Sequence, residues 1–246
     1  STGMLRHPVF LGLRDDKTPR AGVRERATPR PTSTVDELRV DSATTLEFTN
    51  LDKIFFPVPR ITKGKLLEYY AAIAPYLLPA LRDRPMVLKR FPNGITQEAF
   101  YQQKAPPKVP DGVRVEPVAD DGISTERRLI GGDITTLLYL IQLGAISTDP
   151  WHSRVQSVAQ PDYSIVDLDP GPTATFKRVV QVARWVKEEL DELGLHATPK
   201  TSGASGIHIV LPLPLGATYE LSRTLAELVA RRVNEKHPKE TTVHRW

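Results

Sequence analysis

The chain has no cysteine among its 246 residues, which excludes disulfides, thiolate metal sites and cysteine nucleophiles. Long apolar runs are missing too. None approaches the ~18 residues that a membrane-crossing helix needs. Near the N-terminus, charges stand where a signal peptide needs an apolar stretch. There is no Walker-type phosphate loop and no internal repeat. These gaps predict a soluble, cytoplasmic protein without a membrane partner. What is present is an uneven charge. Residues 1–30 carry seven basic against three acidic side chains, which accounts for the whole formal surplus of +4. Beyond that arm the signs balance, so any grip on phosphate must come from local clusters.

Residues 1–45 read as a tail and a linker. Ala27 to Thr34 is rich in Pro, Thr and Ser, and the apolar run Pro8 to Leu13 has no evident partner nearby. A compact domain is expected over 46–246. Within it, apolar residues at three-to-four spacing predict a helix from Lys63 to Leu81. Strands are expected at 86–91 and 112–118. A mostly apolar helix spans 133–143, with Asp133 as its N-cap. Ser164 to Asp169 reads as a strand, 175–193 as an amphipathic helix stopped by Gly194, 207–211 as a strand and 218–235 as a last helix. The mixture predicts an α/β or α+β fold with a mixed sheet.

The clearest chemistry lies in Ile165-Val166-Asp167-Leu168-Asp169-Pro170. Alternate strand residues share a face, so Asp167 and Asp169 project together, roughly 7 Å apart at Cα. Two carboxylates at a strand end suit Mg²⁺ or Mn²⁺, with phosphate oxygens filling the remaining positions. The plainer alternative is an exposed strand end that caps the next helix. In Lys200-Thr201-Ser202-Gly203-Ala204-Ser205-Gly206-Ile207-His208, glycines and hydroxyls before a strand can form a backbone nest for an anion. His208 lies opposite Ile207 and Ile209 and would face the same cleft. A Gly-Ser hairpin loop is the alternative. Asn50, Lys53 and Lys63 gather near a helix start, where anions are favoured, although an ordinary solvated face has the same composition. Phe100 and Tyr101 are candidates for base stacking or for a half-buried pair.

In this combination and order, these segments resemble the polymerase domain of bacterial ligase D, a primase-polymerase of the archaeo-eukaryotic primase superfamily. The anchors are Leu51-Asp52-Lys53 with Thr62-Lys63-Gly64, Leu88 to Gly94, Pro150 to Arg154, Asp167 to Pro170, and Thr201-Ser202-Gly203 through His208. The resemblance implies a mixed-sheet catalytic core with flanking helices. It also implies template-directed addition of nucleotides, ribonucleotides preferred, to 3′-hydroxyls at gapped or broken DNA ends bearing a 5′-phosphate, in non-homologous end joining. Asp167 and Asp169 would be the catalytic, metal-binding pair for Mn²⁺ or Mg²⁺. Ser202, Gly203, Ser205 and His208 would hold the nucleoside triphosphate. Asn50, Lys53 and Lys63 would grip the 5′-phosphate, and Phe100 and Tyr101 would pack on the template. Ku and an ATP-dependent DNA ligase are the implied partners, and the bacterial nucleoid the implied place of action.

By the same resemblance, residues 1–26 look like the C-terminal tail of the ligase domain, 27–45 a linker, and 46–246 the primase-polymerase domain. Two departures stand out. Ser205 and Asp149 replace the lysine and histidine often found in the family. The chain also stops at Trp246, before the expected last strand and its third metal carboxylate, for which Glu240 is the nearest substitute. That departure opens a second reading, a DNA-end binding module with impaired catalysis. A third reading is a scaffold whose basic arm contacts DNA or a partner.

Overall fold

The computed structural model describes residues 36–41, 44–119 and 124–243. They fall into two compact units, divided after Val158. The ligase-like tail expected over 1–26 lies outside the described residues.

The first unit opens with two strands, β1 (Asp36–Asp41) and β2 (Thr44–Phe48), paired antiparallel with Asp36 opposite Phe48. Regular structure therefore begins inside the segment expected to be linker. The Pro/Thr/Ser composition ends at Thr34, and the alternation of Leu38 and Val40 with charged residues is a strand pattern. A short ladder of β3 (Ile54–Phe56) and β4 (Ile61–Thr62) leads directly into α1 (Lys63–Leu81). Thr62 caps that helix, its hydroxyl accepting from the Lys65 amide at 3.3 Å. Next come β5 (Met86–Arg90), β6 (Phe100–Gln102), the hairpin of β7 (Val115–Ala119) with β8 (Thr125–Leu129), α2 (Ile134–Gln142) and β9 (Ala145–Pro150). The Asp133 carboxylate accepts from the Thr136 amide at 2.7 Å, the predicted N-cap. Strand β5 lies between β6 and β9. The core joins Leu66, Leu67, Ala74 and Leu81 of α1 to Leu137, Leu138, Leu140 and Ile141 of α2.

The second unit is a three-stranded sheet covered by two helices. Its elements are β10 (Tyr163–Leu168), α3 (Phe176–Glu192), β11 (Thr198–Thr201), β12 (Ile207–Pro212) and α4 (Tyr219–Lys236), and the strand order is β10-β12-β11. Val166, Ile207, Ile209 and Leu211 pack beneath Val179, Val186 and Leu190 of α3 and Val229 and Val233 of α4. Gly194, at φ +67°, ends the α3 segment as expected. Because strand side chains alternate, burying Val166, Ile207 and Ile209 under the helices turns Asp167 and His208 to the opposite face.

The α+β character matches the sequence expectation, but the mixed sheet expected with it is not found: among the described residues every ladder is antiparallel, divided over five small sheets.

Candidate functional sites

In the second unit the anion-loop and carboxylate residues come together. Asp167 and His208 are direct cross-strand partners, and the His208 Nε2 lies 3.5 Å from the Asp167 Oδ1. Strand β10 stops at Leu168, so Asp169 sits one residue beyond it; both aspartates are exposed. The loop before β12 folds back on Ser202. Its amide donates to the Gly206 carbonyl at 3.0 Å, and its Oγ accepts from the amides of Gly206 at 3.0 Å and Ala204 at 3.3 Å. A hydroxyl that accepts twice still has its own proton to donate.

Gly203 takes φ +96°, a conformation that favours glycine. Gly206 is required for a different reason. A Cβ there would lie 2.6 Å from the Leu168 carbonyl oxygen and 3.3 Å from the Asp169 Oδ1. The loop is thus pressed against the carboxylate-bearing strand end. Ser205 lies exposed in the same loop.

Two oxygen donors at this strand end fit a hard divalent cation that keeps water and phosphate ligands. Among the described residues, no group of three His, Asp or Glu is placed to hold a metal, so Glu240 does not complete the pair.

In the first unit Asn50, Lys53 and Lys63 line one cavity of about 700 Å³, together with Arg90, Asn93 and Gln142. Asn50 adopts φ 58°, which asparagine tolerates better than most residues. Lys63, only 5% exposed, donates from Nζ to the Thr49 carbonyl at 2.9 Å. Burial, then the cations of Lys53 and Arg90, pushes its pKa down to about 8. Lys53 donates to the Asn93 Oδ1 at 2.8 Å. Asn93 is brought there by a turn whose Gly94, at φ +94°, lies so close to β3 that a Cβ would stand 3.0 Å from the Ile54 carbonyl oxygen.

The first amides of α1 are already bonded within the chain. Lys63 and Gly64 donate to the carbonyls of Lys53 and Leu51, both at 2.8 Å, and Lys65 to Thr62. The positive charge lining this cavity is that of the Lys53 and Lys63 ammonium groups and the Arg90 guanidinium, with the helix dipole of the same sign.

Phe100 and Tyr101, 47% and 45% exposed, are adjacent on β6 and therefore take opposite faces of it. The Arg90 guanidinium stands 5.0 Å from the Phe100 ring, and the Lys89 ammonium 5.6 Å from the Tyr101 ring. Sequence reasoning assigned no role to Asn93, Gln142, Arg90 or Lys200. Asn93 and Arg90 lie in the quoted anchor Leu88 to Gly94, and Lys200 in the quoted loop. Only tertiary pairing reveals what they touch.

The model of the LigD primase-polymerase domain, a nucleotidyltransferase family, matches residues 62–246. The chain belongs to this family. It is 30% identical over 242 residues to the multifunctional non-homologous end joining protein LigD of Pseudomonas aeruginosa, covering 96% of this chain and 29% of that protein. With the bifunctional LigD of Bacillus subtilis the identity is 34% over 203 residues, covering 81% of this chain and 32% of that one. The chain thus spans about a third or less of the curated relatives it matches. The polymerase domain from Mycobacterium tuberculosis ligase D in complex with DNA superposes with a TM-score of 0.71 at 30% identity, over 78% of this chain and 70% of that one.

Proposed function

We propose that this chain is a template-directed nucleotidyltransferase that fills gaps and extends 3′-hydroxyls at 5′-phosphorylated DNA breaks in non-homologous end joining. The observation that carries the reading is the close approach at Gly206. It presses a loop able to cradle phosphate against the strand end bearing Asp167 and Asp169, with His208 beside them. A nucleoside triphosphate and a divalent cation would meet there. Asp167 and Asp169 would hold Mn²⁺ or Mg²⁺, which supplies charge neutralisation at the attacking and leaving oxygens. Ser202 and His208 would donate to the triphosphate; Gly203 and Ser205 complete that loop. The preference for ribonucleotides, the partners Ku and an ATP-dependent ligase, and action on the nucleoid rest on the family resemblance.

The first unit would read the break. Two ammonium groups in one cavity, one of them buried, suit a terminal phosphate dianion better than neutral DNA groups. Asn50 would add a hydrogen bond, and Phe100 and Tyr101 would pack on template bases. A second reading is an end-binding module with impaired catalysis, in which the cavity lined by Lys53 and Lys63 holds the 5′-phosphate without nucleotide addition.

Primer extension on a short gapped duplex, with Mn²⁺ and ribonucleotides, separates the two. Extension that requires the 5′-phosphate and disappears in Asp167→Ala/Asp169→Ala supports the polymerase. Phosphate-dependent binding without extension supports the module. Extension that persists in the double variant would remove the aspartates from the site.

A further inference from the structure

We infer that Lys200 is a positioning residue for His208, fixing the imidazole so that its Nε2–H faces the triphosphate loop and carboxylates. This rests on the reading above, in which His208 serves the incoming nucleotide. Three strands place one side chain each in a single row. Lys200 of β11 is the cross-strand partner of His208 of β12, and His208 is the partner of Asp167 of β10. Direct partners in adjacent strands share a face, and their side chains interact.

The Lys200 Nζ stands 3.1 Å from the His208 Nδ1 and also donates to the Thr201 carbonyl at 3.0 Å. An ammonium has protons and no lone pair, so the Nδ1 must accept. The neutral ring then carries its proton on Nε2. That nitrogen lies 3.5 Å from the Asp167 Oδ1, beyond a good hydrogen bond. The Nε2–H is aimed but not committed, and an anion seated in the adjacent loop can take it. The bond from Lys200 also opposes a ring flip, which would exchange Nδ1 and Nε2.

This account separates Lys200 from an ordinary phosphate-binding lysine. A lysine that touched the triphosphate itself would contribute independently of His208. A lysine that acts through the ring contributes only while the ring is there.

The test is a double-mutant cycle on the full chain, with a fluorescent non-hydrolysable ribonucleoside triphosphate and Mn²⁺ as the probe. Lys200→Met should weaken binding about tenfold, the scale of one lost hydrogen bond to a charged group, and Lys200→Arg should recover most of it. Lys200→Met/His208→Ala should bind no worse than His208→Ala alone. Additive losses would overturn the inference. Independently, long-range proton–nitrogen spectra of the His208 ring should show a single Nε2–H form in the wild type and exchange broadening in Lys200→Met. A wild-type Nδ1–H ring, or identical spectra in both proteins, would also overturn it. If His208→Ala binds nucleotide normally, the role of His208 in the proposed function falls, and the ring spectra alone decide the role of Lys200.

Discussion

Replacing Lys63 with methionine should stabilise the protein at neutral pH while blinding it to the 5′-phosphate. The lysine is held charged in a nearly closed position, beside Lys53 and Arg90, and its pKa has dropped from 10.5 to about 8. That drop corresponds to about 3 kcal/mol lost on folding with the proton on. Methionine keeps the unbranched stem and removes the charge. It also forfeits the bond to the Thr49 carbonyl, a loss of about 1 kcal/mol. The expected gain at pH 7 is therefore about 2 kcal/mol. Between pH 8 and 10.5 the unfolded lysine binds more proton than the folded one, so wild-type stability rises with pH across that window. The advantage of Lys63→Met should shrink over the same range and give way above it to a deficit of about 1 kcal/mol, the lost bond to Thr49. Urea midpoints of both proteins at neutral pH and near the top of the window measure this. A variant less stable at pH 7, or a gap that stays constant with pH, would refute the reasoning. Fluorescence anisotropy with phosphorylated and unphosphorylated gapped duplexes should show that the variant prefers neither.

Other consequences can be checked directly. Gly206→Ala forces a methyl against the Leu168 carbonyl and the Asp169 carboxylate; it should cost about 1–3 kcal/mol of stability and abolish extension, measured by thermal melting and primer extension. Asn93→Ala frees the Lys53 ammonium and should lower the preference for phosphorylated ends severalfold, with unphosphorylated DNA bound as before in anisotropy. Glu189 is buried between Arg232 and Lys236. Its hydrogen bond from Lys236, then that from Arg232, holds its pKa below the usual carboxylate range against the opposing effect of burial. The stability it contributes is present above the ordinary glutamate pKa and lost as pH falls through the lowered one. Glu189→Gln should therefore destabilise the second unit at neutral pH and converge with wild type in acid, as followed by circular dichroism.

The helices were legible because their apolar residues repeat with a helical period and their ends carry local signals. Asp133 caps one helix, and Gly194 stops another. The strand pair β10 and β12 could be read from alternation. What the sequence did not disclose were the short polar strands. Thr198 to Thr201 has four exposed residues and no alternation, yet it is a strand because β12 supplies its hydrogen bonds. Missing β11 meant missing the row that joins Lys200 to His208. The cavity of the first unit shows the same limit. Lys53 and Lys63 belong to a recognisable local cluster, whereas Asn93 reaches Lys53 from 40 residues away. Nothing local marks that meeting, nor the use of the α1 amides by backbone carbonyls.

Those occupied amides bear on how DNA is discriminated under the proposed reading. A cradle of N–H groups would measure the shape of a phosphate, and a bridging phosphodiester could satisfy several of them. A pair of ammonium groups responds instead to total charge, and a terminal phosphate carries nearly twice that of an internal one. The contrast between a broken end and an unbroken backbone is then mainly electrostatic. It should be sharpest in dilute buffer and should fade with added salt as the screening length falls toward the width of the cavity.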